Sequence, residues 1–147
     1  MTTRKTTPAR SRPAAFRRTR ADHQTELTED YVEMIAELLE ERGEARGTDI
    51  AQRLGVSNAT VVKTLRRLQN EQLIRQEPYR AVFLTDSGQK LAEDGRRRHG
   101  IVERFLVALG VKAEVARIDA EGIEHHVSAD TLDAMERYLK SRGEEPK

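Results

Sequence analysis

The segment Asp119-Ala120-Glu121-Gly122-Ile123-Glu124-His125-His126 puts Glu121, Glu124 and His125 at i, i+3 and i+4, so on a helix they share one face. Asp30 and Glu33 repeat the i, i+3 spacing near the start of the chain. His99 stands between the two clusters, after Arg96-Arg97-Arg98. Two carboxylates on one helical face repel by roughly a few tenths of a kcal/mol unless a cation lies between them. Each pair alone reads as a solvated acidic face. Taken together, five oxygen and nitrogen donors in two clusters, with His99 between them in sequence, predict a six-ligand cation site. Carboxylate and imidazole without thiolate suit Mn²⁺, and also Fe²⁺, Co²⁺ or Zn²⁺. His126, turned about 100° round a helix from His125, is expected to point elsewhere, and His23 to be too loosely held to take part.

A largely helical chain must position these groups. Thr28 is expected to cap a helix with Glu29 and Asp30 in its first turn and Tyr31, Ile35, Leu38 and Leu39 at helical spacing up to Gly43. A short helix over 48–54 ends at Gly55. Ser57 then caps a helix over 58–70 with Val61, Val62, Leu65 and Leu68 facing inward. Helix, glycine-containing turn and capped helix form a helix-turn-helix pattern. Strands over 73–76 and 81–84, joined through Pro78-Tyr79-Arg80, make a β-wing. Thr85 caps a long helix running past His99, in which Gly95 and Gly100 leave a kink or break open. Its stripe Ile101, Val102, Phe105, Leu106 and Leu109 is either a dimer surface or ordinary core. Helices over 113–126 and 128–139 come next, with a fraying tail.

The predicted fold is therefore mainly α, an N-terminal winged helix-turn-helix with a short two-stranded wing followed by an all-helical dimerisation and metal-binding domain. The expected divisions are a disordered basic arm over 1–24, a DNA-binding domain over 25–90 and a helical domain over 91–147.

Charge supports a polyanionic partner. The 26 Lys+Arg and 25 Asp+Glu of the 147 residues nearly cancel, but residues 1–20 hold seven basic groups and no acid. Residues 46–80 carry seven basic groups against three acids. Thr60, Lys63, Thr64 and Arg67 fall at i, i+3, i+4 and i+7 on the second helix of the motif, and Ser57 and Asn58 stand at the end that enters a major groove. Arg80 at the wing tip is a candidate phosphate or minor-groove contact. The expected partner is double-stranded DNA.

Other classes are excluded in turn. With no cysteine there is no disulfide framework, thiolate zinc site or cysteine redox chemistry. No apolar run reaches the roughly 18–20 residues of a membrane span, and the start lacks a secretion signal. Pro8 and Pro13 break the amphipathic helix of an organelle leader. A cytoplasmic protein is the simple reading. Glu-His-His is not the His-Glu-x-x-His of zinc proteases, and no activated nucleophile is apparent, so no enzyme is expected.

Asp30-Tyr31-Val32-Glu33, the winged motif from Ala45 to Thr85, and Arg98-His99 with the block from Asp119 to Ser128 together resemble the manganese-responsive transport regulators of the diphtheria toxin repressor family. The resemblance implies that Asp30, Glu33, His99, Glu121, Glu124 and His125 bind a pair of adjacent metal ions, some carboxylates bridging. The iron-responsive branch places Met where this chain has Asp30 and Cys where it has Glu121. The harder donors favour manganese. A chain without the further SH3-like domain of many iron-responsive members is expected. The resemblance further implies a homodimer that binds a pseudo-palindromic operator with Mn²⁺ as corepressor and represses manganese uptake, with activation of export as an additional role. No organic cofactor is expected. The alternatives are an iron-responsive member of the family and a winged-helix regulator answering to a small organic ligand.

Overall fold

The computed structural model describes residues 12–77 and 80–143, with side chains from Arg20 onward. Helix α1 spans Arg12–Arg42. It begins at Arg12 and not at Thr28, which corrects the expectation of disorder for residues 12–24; residues 1–11 lie outside the described residues. Pro13 falls in the first turn, where a missing N–H is tolerated. Beyond it, Ala, Arg, Gln and Glu extend a helix already nucleated by packing further along. Thr28 is consequently inside the helix, and its hydroxyl donates back to the Gln24 carbonyl at 3.0 Å.

Helices α2 (Gly47–Leu54) and α3 (Asn58–Asn70) form the helix-turn-helix. Gly55, at φ 67°, ends α2 in the left-handed region that glycine enters without strain. The Ser57 hydroxyl accepts the Thr60 N–H at 3.1 Å and starts α3. Val61, Thr64, Leu65 and Leu68 are buried, at strict i, i+3, i+4, i+7 spacing, while Val62 is 57% exposed. The expected inward stripe is thus displaced at one position, with Thr64 taking the place assigned to Val62.

Strands β1 (Ile74–Gln76) and β2 (Val82–Leu84) pair antiparallel with Arg75 opposite Phe83. The Val82 N–H also donates to the Ala45 carbonyl at 2.7 Å, tying the wing to the loop after α1. Pro78 and Tyr79 lie outside the described residues. Tyr31, Ile35 and Leu38 of α1 share one core with Ile50, Val61, Leu65, Leu68, Ile74 and Val82. Each such large side chain contributes roughly 1.5–3 kcal/mol on burial, so α1 is an integral part of the winged helix-turn-helix module.

Helix α4 (Asp86–Ala108) is capped by the Thr85 hydroxyl, which accepts the Gly88 N–H at 3.1 Å. It runs unbroken through Gly95 and Gly100, and the expected boundary between residues 90 and 91 falls inside it. Its first half packs Ala92 and Leu91 against Val32 and Ala36 of α1. Its second half puts Ile101 and Val102 in a core with Ala120 of α5 (Ala113–Ile123) and Leu132 and Leu139 of α6 (Ala129–Ser141). Phe105 and Leu106 pack on that core, whereas Leu109 is 57% exposed. Of the two readings left open for that stripe, core packing holds for four of its five residues, and Leu109 stays outside. Helix α5 stops at Ile123, short of residue 126, so His125 and His126 occupy a turn entered from Glu124, which keeps helical angles (φ −56°, ψ −31°).

Candidate metal centre and nucleic-acid interface

Three elements converge where α1 and α4 cross. Helix α1 contributes Glu26, Asp30 and Glu33, which repeat at i, i+4 and i+7 along one face. Helix α4 contributes His99, and the end of α5 with its following turn contributes Glu121, Glu124 and His125. Glu124 is 1% exposed and stands between the two imidazoles: Oε2 lies 3.0 Å from His99 Nδ1, and Oε1 lies 3.4 Å from His125 Nε2. His99 Nδ1 is also 3.8 Å from Glu121 Oε1, and His125 Nε2 is 3.0 Å from Asp30 Oδ1.

Two groups of three donors result, His99 with Glu121 and Glu124, and His125 with Asp30 and Glu26, the atoms in each lying within 4.8 Å of one another. Five of the six expected ligands are in these groups. Glu33 is in neither, yet its Oε1 is buried and carries no hydrogen bond. Both carboxylate oxygens of Glu124 are likewise buried without a hydrogen bond, although imidazole nitrogens stand close by. Buried polar atoms are normally satisfied. Buried carboxylate oxygens left without a hydrogen bond beside imidazole nitrogens fit a hard or borderline divalent cation.

The electrostatics agree. Burial, reinforced by the charges of Asp30, Glu121 and Glu29, pushes Glu33 up to about 7 against the pull of His125. Burial and the Glu33 carboxylate push Glu124 up to about 8. Burial disfavours a charged His125 ring, but hydrogen bonds to Asp30 and Glu29 outweigh it and raise the ring to about 10. The cluster holds protons where divalent positive charge would serve.

Sequence reasoning missed Glu26, Glu29 and Glu103. Glu26 precedes Asp30 by one helical turn, a spacing hidden by placing the helix start at Thr28. Glu103 Oε2 lies 3.0 Å from His99 Nε2, one turn along α4. His126 is 53% exposed in its side chain and faces Glu26 at 3.3 Å, on the edge of the cluster.

On the face expected to meet DNA, Ser57, Asn58, Thr60 and Lys63 are exposed, as is Arg80 beside β2. Two expected residues are not exposed there. Thr64 is 7% exposed and packs inward, and Arg67 donates to Thr28 Oγ1 at 3.0 Å and to Glu71 Oε1 at 3.1 Å. Helical periodicity moves the open stripe one position, to Ala59, Val62, Lys63 and Arg66, all exposed. Arg80 pairs with Glu77 at 3.2 Å while remaining 75% exposed in its side chain.

Two domain families match the chain: the iron dependent repressor N-terminal DNA binding domain over residues 23–82, and the iron dependent repressor metal binding and dimerisation domain over residues 85–147. The transcriptional regulator MntR of Escherichia coli O157:H7 is 55% identical over 128 residues, covering 87% of this chain and 83% of that protein. The HTH-type transcriptional regulator MntR of Bacillus subtilis is 40% identical over 111 residues, covering 76% and 78% respectively. Among solved structures, a manganese-dependent transcriptional repressor in complex with manganese has a TM-score of 0.70 and 32% identity over 77% of this chain and 52% of its own. The manganese regulator SloR has a TM-score of 0.67 and 31% identity over 77% and 53%. The chain spans about half the length of these solved relatives.

Proposed function

Because the chain belongs to the iron-dependent (diphtheria toxin) repressor family of metal-responsive, DNA-binding transcriptional regulators, and within it to the MntR type, we propose that its cation is Mn²⁺, bound as a pair in each subunit. The metal-bound homodimer then represses manganese-uptake genes from a pseudo-palindromic operator, in the cytoplasm, and can also activate export. Its relatives are named regulators, not enzymes. Among the described residues no helix is long and apolar enough to cross a membrane.

The observation that carries this reading is the buried Glu124 carboxylate lying between two imidazoles, with Asp30 on one side and Glu121 on the other. When bound, a divalent cation supplies the positive charge and directional coordination that these donors lack. The rest is done by the chain. Asp30 and Glu33 sit on α1, and His99 on α4. Glu121 and Glu124 lie at the end of α5, with His125 in the turn. Drawing the donors together fixes α1 against α4 and the turn. Since Tyr31, Ile35 and Leu38 of α1 are in the same core as α3, the recognition helix is placed along with α1. With the donors apart, carboxylate repulsion broadens that placement, and fewer dimers present both α3 helices at the spacing of two half-sites, about 34 Å.

Dimerisation is supported by apolar side chains left outside the helical core: Val107, Leu109, Val115 and Ile118 are between 46% and 64% exposed, at the end of α4 and on α5. Apolar side chains exposed in this way suit the contact of a twofold dimer. On the DNA side, Ser57, Asn58, Thr60, Lys63 and Arg80 are retained, and Arg66 joins them.

The test is to select duplexes from a random library with Mn²⁺-loaded protein, then measure affinity for the selected site at fixed salt with Mn²⁺, Fe²⁺, Co²⁺, Zn²⁺ or chelator. Mn²⁺ should tighten binding well over tenfold. Equal affinity with chelator and with Mn²⁺ would instead favour a regulator answering to an organic ligand.

A further inference from the structure

Glu29 is only 5% exposed, between Thr28 and Asp30 on α1, and belongs to neither donor group. A buried carboxylate needs compensation. Here it comes from two other elements and converges on one oxygen: Arg98 Nη2 of α4 at 2.9 Å and His125 Nδ1 of the turn at 2.5 Å from Glu29 Oε2. The opposite ring nitrogen, His125 Nε2, is the one that faces Asp30 and Glu124. A ligating imidazole depends on what its other nitrogen does, because that hydrogen bond settles the tautomer and the ring rotation.

We propose that Glu29 is the positioning residue of the metal centre, accepting the Nδ1–H of His125 so that Nε2 presents its lone pair to the cation, with Arg98 holding Glu29 in place. This rests on the metal-centre reading above. The same turn of α1 also reaches the recognition helix, since Thr28 accepts Arg67 of α3 at 3.0 Å. His125 and α3 are therefore held by adjacent residues of one helical turn, and a ring that settles on a cation settles against the residue next to the one that anchors α3. Arg98 directly precedes His99, so the clasp on Glu29 and a ligand of the other donor group share a turn of α4.

Full-length wild-type protein, Glu29→Ala and Glu29→Gln decide the matter, with Mn²⁺ affinity read from the free-ion paramagnetic resonance signal and the ring proton read by NMR in Zn²⁺-loaded protein. Wild type should show a protected, downfield Nδ1–H for His125. Glu29→Ala should lose that resonance and raise the Mn²⁺ Kd about 10- to 100-fold. The Glu29→Gln amide oxygen can still accept the proton, so the resonance should persist further upfield and the Kd rise by a smaller factor, a graded rescue that mere volume filling does not produce. If Glu29→Ala fails to fold, the Glu29→Gln pair of readouts decides alone. Wild-type Kd values in the folded variants, or no Nδ1–H resonance in wild type, would overturn the proposal. A wild-type protein that binds no Mn²⁺ would sink the metal-centre reading itself, an outcome seen before any variant is made.

Discussion

Gly95 of α4 stands against the carboxylate of Glu33 on α1: a Cβ at residue 95 would lie 1.9 Å from Glu33 Oε1 and 2.8 Å from its Cδ. The absence of a side chain there gives Glu33 its place beside the cluster, and the glycine that left a kink open in the sequence serves a neighbour while its own helix runs unbroken. Gly95→Ala should push the Glu33 carboxylate aside by side-chain rotation. Alanine also favours the helix over glycine by about 1 kcal/mol. The metal-free variant should keep or slightly raise its thermal midpoint while Mn²⁺ affinity falls about tenfold or more. Calorimetric titration beside a melting curve checks both, and unchanged Mn²⁺ affinity would remove Glu33 from the ligands.

Protons and cations should compete for the cluster. Glu33 at about 7, Glu124 at about 8 and His125 at about 10 all lie above their ordinary values. The folded, metal-free chain therefore binds these protons more tightly than the unfolded chain. For the two glutamates the stabilisation is fully present below about pH 4.5 and is lost as pH rises through 7 and 8; for His125 it is present below about 6.5 and lost through 10. Denaturation of chelator-treated protein should show stability falling between about pH 5 and 9, and Glu124→Gln should flatten part of that slope. Metal affinity should run the other way, rising with pH. Titration at about pH 7 in buffers of different ionisation enthalpy should detect proton release on Mn²⁺ binding, and zero release would contradict the raised values.

What the sequence made legible was local. Gly55 ends α2 and Ser57 starts α3 at the residues observed because the left-handed turn and the cap are short-range chemistry. The spacing of Glu121, Glu124 and His125 likewise marks one face whatever they meet. The misses are tertiary or arise from a competing pattern. Nothing near Glu29 in sequence signals that Arg98 and His125 will close on it, and Gly95 has meaning only once Glu33 lies across from it. Val62 drew the inward assignment by its hydrophobicity, yet the period from Val61 puts Thr64 inside.

The exposed apolar patch should govern assembly without touching the donors. Ile118 is 64% exposed on α5, and Val115 is one turn away. Ile118→Glu puts an unpaired charge on each side of a twofold contact made by this face. Sedimentation should then show a monomer, or a dimer weakened at least tenfold, with Mn²⁺ binding per chain retained and operator affinity lost. A dimer of wild-type strength would mean that the subunits meet elsewhere.

The basic residues of α3 should divide into two kinds. Lys63 and Arg66 are exposed on the open face of the helix, whereas Arg67 is turned back onto Thr28 and Glu71. Each phosphate contact contributes about 0.9 to the slope of log affinity against log salt. Lys63→Ala and Arg66→Ala should each reduce that slope by about one and leave the melting temperature nearly unchanged. Arg67→Ala should leave the slope alone, because its charge is already used inside the protein. It should instead cost roughly 1 kcal/mol of stability for the lost hydrogen bonds, and loosen the tie between α1 and α3 that joins the metal centre to the reading helix. The expected signature is a weaker response of operator affinity to Mn²⁺ at unchanged Mn²⁺ occupancy. If Arg67→Ala changed the salt slope as Lys63→Ala does, Arg67 would have to leave Thr28 on DNA binding, and the structural tie would not hold in the complex.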